Sequence, residues 1–289
     1  MDMQSYLRKL IELEGSDLYV AASAFPMVRV EGRISPMSDS ELDNDEATRL
    51  IYSILKETQI KEFEQVLELN LALHLPSIGR FRVNVFKQRS GISMVARHII
   101  TDIPSIDELG LPERLKEFIL EPRGLLLLVG GTGTGKSTTL ASMIDYRARQ
   151  QSDHILTVED PIEFIHSHHK ALINQREVGI DTHSYAAALK NAMREAPDVI
   201  MVGEIRDAPT MKHALQYAET GHLCVSTLHA NSADQALDRI INFFPHDARD
   251  QLLSDISLYL TAIVGQRLCE GVNGKRVATV EIMTNTPHI

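Results

Sequence analysis

The most constraining feature of this sequence is one short run, Gly130-Gly131-Thr132-Gly133-Thr134-Gly135-Lys136-Ser137. It fits the pattern G-x-x-x-x-G-K-[ST], in which glycines let backbone N–H groups close around a phosphate. Lys136 would then reach the β- and γ-phosphates of a nucleotide, and the Ser137 hydroxyl would bind Mg²⁺. Thr138 completes the candidate nucleotide-binding set. The mechanism needs a strand before the loop and a helix after it. The apolar run Leu125–Val129 precedes it, and Lys136–Arg149 has the texture of a helix. The competing reading is a glycine-rich turn without a ligand.

The rest of the chain beyond Arg123 agrees with an α/β fold. Strand-like runs at His154–Val158, Val199–Val202 and His222–Leu228 alternate with helical patterns at Ser184–Arg194, Ala208–Glu219 and Ala233–Ile240. Such apolar strands between helices indicate a parallel sheet covered on both faces. Near the end, Gln266–Glu270 and Arg276–Met283 flank Asn273-Gly274, a hairpin signal.

Residues 1–98 read differently. A helix carrying Met3, Leu7, Leu10 and Ile11 on one face precedes strand-like Asp17–Val20 and Met27–Val30. Asp43–Lys56 has helical spacing, Leu71, Leu73 and Leu75 alternate, and Phe81, Val83 and Val85 alternate with Arg80, Arg82 and Asn84. Ile92–His98 adds a further strand. The expected organisation is a small α+β domain at 1–98, a linker at 99–123 and a nucleotide-binding domain at 124–289.

Three further segments carry candidate chemistry. Asp198–Asp207, DVIMVGEIRD, ends an apolar strand in Gly203-Glu204. A carboxylate at that end of a buried strand points into the crevice where α/β folds bind ligands. It could hold Mg²⁺ through water or orient an attacking water. Thr157–Glu163, TVEDPIE, crowds three carboxylates after a strand, and Pro161 forbids a simple helical pairing of Glu159 with Glu163. One of them could take a proton from water, although an acidic turn is the bland reading. Finally, His222 and His229 bracket a strand. Extended geometry separates them by roughly 23 Å, so they cannot share a metal ion. His229 falls on the nucleotide side and His222 at the far end. His166, His168 and His169 are read as a solvated loop rather than a metal site.

Composition narrows the function. Lys+Arg number 29 against 39 Asp+Glu, a formal charge of −10, which argues against a nucleic-acid partner. The 2 cysteines, Cys224 and Cys269, are far apart and suit a reducing compartment without disulfides or structural zinc. No apolar run approaches the ~20 residues that span a bilayer, and the first residues lack a signal core. A cytoplasmic location is expected.

Taken together, GGTGTGKSTTLASMI, TVEDPIE, APDVIMVGEIRD and TGHLCVSTLHANSADQALDRI resemble the secretion and pilus motor ATPases. More narrowly they look like the type IV pilus retraction ATPases, the PilT/PilU family, with features of its PilU-like branch. In the amino-terminal half GSDLYV, VRVEGRI and IGRFRVNVFKQRSG carry the same resemblance. The resemblance implies a PAS-like amino-terminal domain, a RecA-like P-loop domain and a homohexamer that couples ATP hydrolysis to pilus retraction and twitching motility. It places Lys136 and Ser137 in Walker A, makes Glu163 the general base, and makes Glu204 the Walker B glutamate serving Mg²⁺. His222 and His229 match its His box, and Arg82 and Arg97 match arginines that reach a neighbour's nucleotide.

Implied partners are the inner-membrane pilus platform protein, which would hold the ring at the membrane from the cytoplasm, and a paralogous retraction ATPase. Competing readings are an ATP-binding accessory subunit that bridges another motor to the platform, and a RecA-like nucleic-acid motor. Assembly and type II secretion ATPases usually carry a four-cysteine zinc element, which two distant cysteines do not supply. The family's G-x-P-P turn is replaced by Ser23-Ala24-Phe25-Pro26. Family members continue into further helices beyond a segment like NTPHI, so those helices are expected to be missing.

Overall fold

The computed structural model describes residues 1–89, 91–99, 101–272 and 276–286. They form two compact units, Met1–Ile100 and Thr101–Ile289.

The first unit is built from α1 (Met3–Glu12), β1 (Asp17–Ala21), β2 (Met27–Val30), β3 (Arg33–Pro36), α2 (Asn44–Tyr52), α3 (Glu57–Val66), β4 (Glu68–Leu75), β5 (Gly79–Gln88) and β6 (Gly91–Ile99). Its strands pair antiparallel in the order β3-β2-β1-β6-β5-β4. Alternation decides the faces. Phe81, Val83 and Val85 are fully buried and share one core with Leu7 and Leu10 of α1, Ile51 of α2 and Phe63 of α3. The intervening residues make the opposite face. On it, register lines up Arg29, Asp17, Arg97 and Arg82 across four adjacent strands.

Two elements were not legible as such. The helix expected over Asp43–Lys56 stops at Tyr52 because the Ser53 hydroxyl donates to Leu50 O at 2.6 Å. The N–H groups of Ile54 and Leu55 then tighten to carbonyls three residues back, and α3 begins separately. The strand β3 is exposed throughout and so has no apolar alternation to reveal it.

The second unit comprises α4 (Arg114–Leu120), β7 (Gly124–Val129), α5 (Lys136–Gln150), β8 (His154–Glu159), β9 (Leu172–Glu177), α6 (Tyr185–Ala192), β10 (Val199–Val202), α7 (Ala208–Glu219), β11 (Leu223–Leu228), α8 (Ala233–Asn242), α9 (Arg249–Tyr259), β12 (Leu260–Glu270) and β13 (Arg276–Thr284). The sheet order is β13-β12-β7-β11-β10-β8-β9, parallel except for the antiparallel edge strand β13. Leu125, Leu127 and Val129 join the core under α6, α7, α8 and α9, while Leu126 and Leu128 join the core under α4 and α5. Burial on both faces is why β7 reads as an unbroken apolar run. The strands flanking Asn273-Gly274 pair as a hairpin would require, but the turn itself lies outside the described residues.

The expected linker at 99–123 is corrected. From Thr101 onward the chain belongs to the second unit, where Ile106, Leu115 and Ile119 are buried in the same core as α5. Arg147, itself buried, donates to Ile119 O at 2.6 Å and Glu121 O at 2.7 Å, which ties the end of α4 to α5. Also unforeseen were β9 and α9.

Candidate functional site

The loop 130–135 leaves the carboxyl end of β7, and three of its four glycines are required, Gly130 by space and Gly133 and Gly135 by backbone conformation. At Gly130 a Cβ would lie 2.6 Å from both Gln266 O and Thr134 Oγ1. Gly133 and Gly135 have φ of +75° and +83°, the region that glycine tolerates best. Gly135 is the N-cap of α5, so the helix starts at Lys136 with its N–H groups facing the loop. Thr134 Oγ1 donates to Gly131 O at 2.9 Å, closing the turn. The Lys136 ammonium curls back over it and donates to Gly130 O at 2.9 Å and Gly131 O at 2.8 Å. Burial lowers the Lys136 pKa, and Glu204 and Glu163 oppose that by favouring the charged form.

A cavity of about 270 Å³ opens at this loop. Thr132, Gly133, Lys136 and Ser137 line one side, and Glu163, Glu204 and His229 complete it. Sequence-distant candidates are therefore brought together. Gly130, Gly131, Thr134 and Gly135 shape the loop behind it, and Thr138 is half-buried outside the lining.

Glu204 is held on both sides. Arg206 Nε donates to its Oε2 at 2.7 Å, and His229 Nε2 lies 3.2 Å from its Oε1. The backbone beneath it is pinned: Gly203 N donates to Val158 O at 2.8 Å, and Thr227 Oγ1 donates to Gly203 O at 2.7 Å. A side chain at Gly203 would crowd the backbone of β8, since a Cβ there would lie 3.2 Å from Val158 O and 3.3 Å from Glu159 Cα, with Tyr185 Oη at 2.9 Å.

Glu159 is deeper in the same cavity wall. Its Oε1 accepts from Thr157 Oγ1 at 2.7 Å and Gln175 Nε2 at 3.1 Å. Burial raises its pKa to about 7, and the hydrogen bonds from Thr157 and Gln175 only partly offset that. Burial likewise raises the Tyr185 hydroxyl, with the Asp160 charge adding to the shift.

Of the two bracketing histidines, only His229 joins the site. His222, at the amino end of β11, has Nδ1 3.1 Å from Thr220 Oγ1 and lines a separate groove with Arg147 and Asp198. The expectation of a solvated histidine loop holds for His168 and His169, which are exposed, and is corrected for His166. His166 is 8% exposed, and burial lowers its pKa to about 4. His169 Nε2 lies 3.0 Å from Asp145 Oδ1, and the His168 ring accepts from Ile173 N at 3.1 Å. Among the described residues no group of three or more histidine, cysteine or acidic side chains is arranged to hold a metal ion.

Arg97 and Arg82 belong to the other unit. Arg97 Nε donates to Asp17 Oδ1 at 2.7 Å; this carboxylate is 2% exposed, and Arg29 also approaches it, at 3.5 Å.

One important side chain carried no signal. Gln266 of β12 is 2% exposed; its Nε2 donates to Thr134 O at 2.7 Å and its Oε1 accepts from Thr139 Oγ1 at 2.8 Å. Only the pairing of β12 with β7 puts it behind the phosphate loop. Arg206 stood in the motif already quoted and could have been found there. Ser137 and Glu204 supply oxygen donors to one cavity, the donor chemistry that suits Mg²⁺.

Comparison with known proteins agrees with this geometry. The sequence profile described as type II/IV secretion system protein matches residues 4–285. The chain is 49% identical over 288 residues to the type IV pilus ATPase PilU of Pseudomonas aeruginosa, covering 99% of this chain and 75% of that protein. It is 43% identical over 289 residues to the type IV pilus retraction ATPase PilT of the same organism, covering 100% of this chain and 84% of that one. It is also similar to the crystal structure of the pilus retraction motor PilT with bound ADP, with a TM-score of 0.93 and 41% identity over 99% of this chain and 84% of that one.

Proposed function

The chain belongs to the type II/IV secretion system protein family, and from that membership we propose that it is an ATPase that powers retraction of type IV pili, and with it twitching motility. The observation that carries this reading is the single cavity in which Lys136, Ser137, Glu163 and Glu204 converge. A PilT structure that is 41% identical contains ADP, which supports nucleotide binding here.

The chemistry assigned to each residue follows from its place. The N–H groups at the start of α5 and the Lys136 ammonium bind the β- and γ-phosphates. Bound Mg²⁺, held by Ser137 and through water by Glu204, would neutralise charge on those oxygens. Glu163 takes the proton of the attacking water. His229 and Arg206 hold Glu204 in one orientation. His222, remote from this cavity, has no part in the proton transfer. Arg82 and Arg97 act on a neighbour's nucleotide in a homohexamer, where a guanidinium stabilises charge on the transferred phosphoryl group. The ring works in the cytoplasm against the inner-membrane platform of the pilus, alone or with a paralogous retraction ATPase. No helix among the described residues is long and apolar enough to cross a membrane.

The test is ATP hydrolysis by the purified protein with Mg²⁺, with mass measured across the same concentration range. Turnover should appear as rings form. Lys136→Ala should lose nucleotide binding and turnover together. Wild-type hydrolysis by a folded Lys136→Ala protein would overturn the assignment.

A further inference from the structure

The edge strand β9 grips the end of β8 and the loop that follows it at four places. Gln175 makes three of these contacts: its Nε2 donates to Glu159 Oε1 at 3.1 Å and to Phe164 O at 2.9 Å, and its Oε1 accepts from His166 N at 2.9 Å. Glu177 makes the fourth, its Oε2 accepting from Ile162 N at 3.1 Å. Glu163 therefore lies between two residues whose backbone is held from the same strand. Side chains 175 and 177 can both do this because alternate residues of a strand share a face. The register sets Gln175 beside Thr157 and Glu177 beside Glu159.

A carboxylate in a loop of this length is free to swing unless the loop backbone is held. We infer that Gln175 is a positioning residue for hydrolysis: it binds the backbone just after Glu163 and the Glu159 carboxylate at once, and so aims Glu163 into the nucleotide cavity. The inference rests on the hydrolytic role proposed for that cavity. Gln175 is absent from the cavity lining, so it acts only through the residues it holds. Its three bonds use both hydrogens of the amide nitrogen and the oxygen, so no hydrophobic or acidic replacement reproduces them.

The test uses the whole chain with Mg·ATP. Gln175→Met keeps the length of the side chain and removes all three bonds. Its kcat should fall roughly ten- to a hundredfold, the usual cost of a misplaced group. Its affinity for ADP, measured by calorimetry, should stay within about twofold, because no phosphate-loop contact is touched. Gln175→Glu keeps the acceptor for His166 N and loses both Nε2 donors. It should lose kcat at least as heavily, again with ADP affinity kept, and it carries the test if Gln175→Met does not fold. Wild-type kcat in either folded variant would overturn the inference. So would a parallel loss of kcat and ADP affinity, which marks general loosening. Wild type and Lys136→Ala are run alongside. A wild type without turnover refutes the hydrolytic reading itself. An active wild type with indifferent Gln175 variants refutes only the positioning role.

Discussion

Replacing Gln266 by leucine isolates what holds the phosphate loop in shape. Leucine fills nearly the same volume, so no large cavity is left, and the loss is that of two buried hydrogen bonds. The partners differ in what becomes of them. Thr139 Oγ1 can turn to Gly135 O, the carbonyl one helical turn back, and recover a bond. Thr134 O is half-buried at the loop and regains water only in part. One imperfectly satisfied carbonyl costs about 1–3 kcal/mol. That energy would be drawn from the conformation that binds phosphate, because Thr134 O sits one residue before the Gly135 N-cap. A loss of about 1–2 kcal/mol corresponds to roughly five- to thirtyfold in an equilibrium constant. Gln266→Leu should therefore bind Mg·ADP more weakly by that factor in calorimetry, and its urea midpoint should fall modestly. Wild-type ADP affinity in a folded Gln266→Leu protein would refute the reasoning, and would mean that the loop keeps its shape without the Gln266 amide.

Other expectations follow from the same geometry. Glu163→Gln should retain Mg·ATP binding and lose hydrolysis, whereas Glu204→Ala should lose Mg²⁺ dependence as well as turnover; wild-type turnover in Glu163→Gln would move the base elsewhere. Glu159 gives a pH signature: its folded pKa of about 7 lies above the ordinary 4.5, so its favourable contribution is complete below pH 4.5 and is lost as pH rises through 7. Glu159→Gln should thus gain about 3 kcal/mol over wild type between pH 4 and pH 8 in urea unfolding, and a constant difference across that range would refute the buried-acid account. For the amino-terminal arginines, Arg97→Ala and Glu163→Gln subunits should each be inactive alone and recover ATPase when mixed in one ring. No recovery in verified mixed hexamers that tolerate other inactive subunits would place the arginine's action within its own chain.

Legibility varied with how far apart in the chain the cooperating residues lie. Strands buried on both faces, such as β7, β10 and β11, announced themselves as apolar runs. The edge strand β9, LINQRE, did not, because only two of its positions are buried and its polar side chains serve the neighbouring loop. The same strand carries Gln175, so the failure to see it hid a feature of the site. His166 was misplaced for a related reason: a run of histidines looks polar, yet the backbone bond to Gln175 draws that residue inward. Alternation along β5 was legible and sets Arg82 on the face opposite the core, but burial of Asp17 beneath Arg97 could come only from strand register.

What the sequence alone determined was the phosphate loop, the carboxylates at strand ends and the α/β class. Each is written in contiguous residues whose backbone geometry is local: a strand, a glycine turn, a helix start. Tertiary structure decided which distant side chains meet them. Gln266 reaches Thr134 because β12 lies beside β7, and Gln175 reaches Glu159 because β9 lies beside β8. Sheet order and register are settled by packing of the whole unit, and no local stretch of chain encodes them.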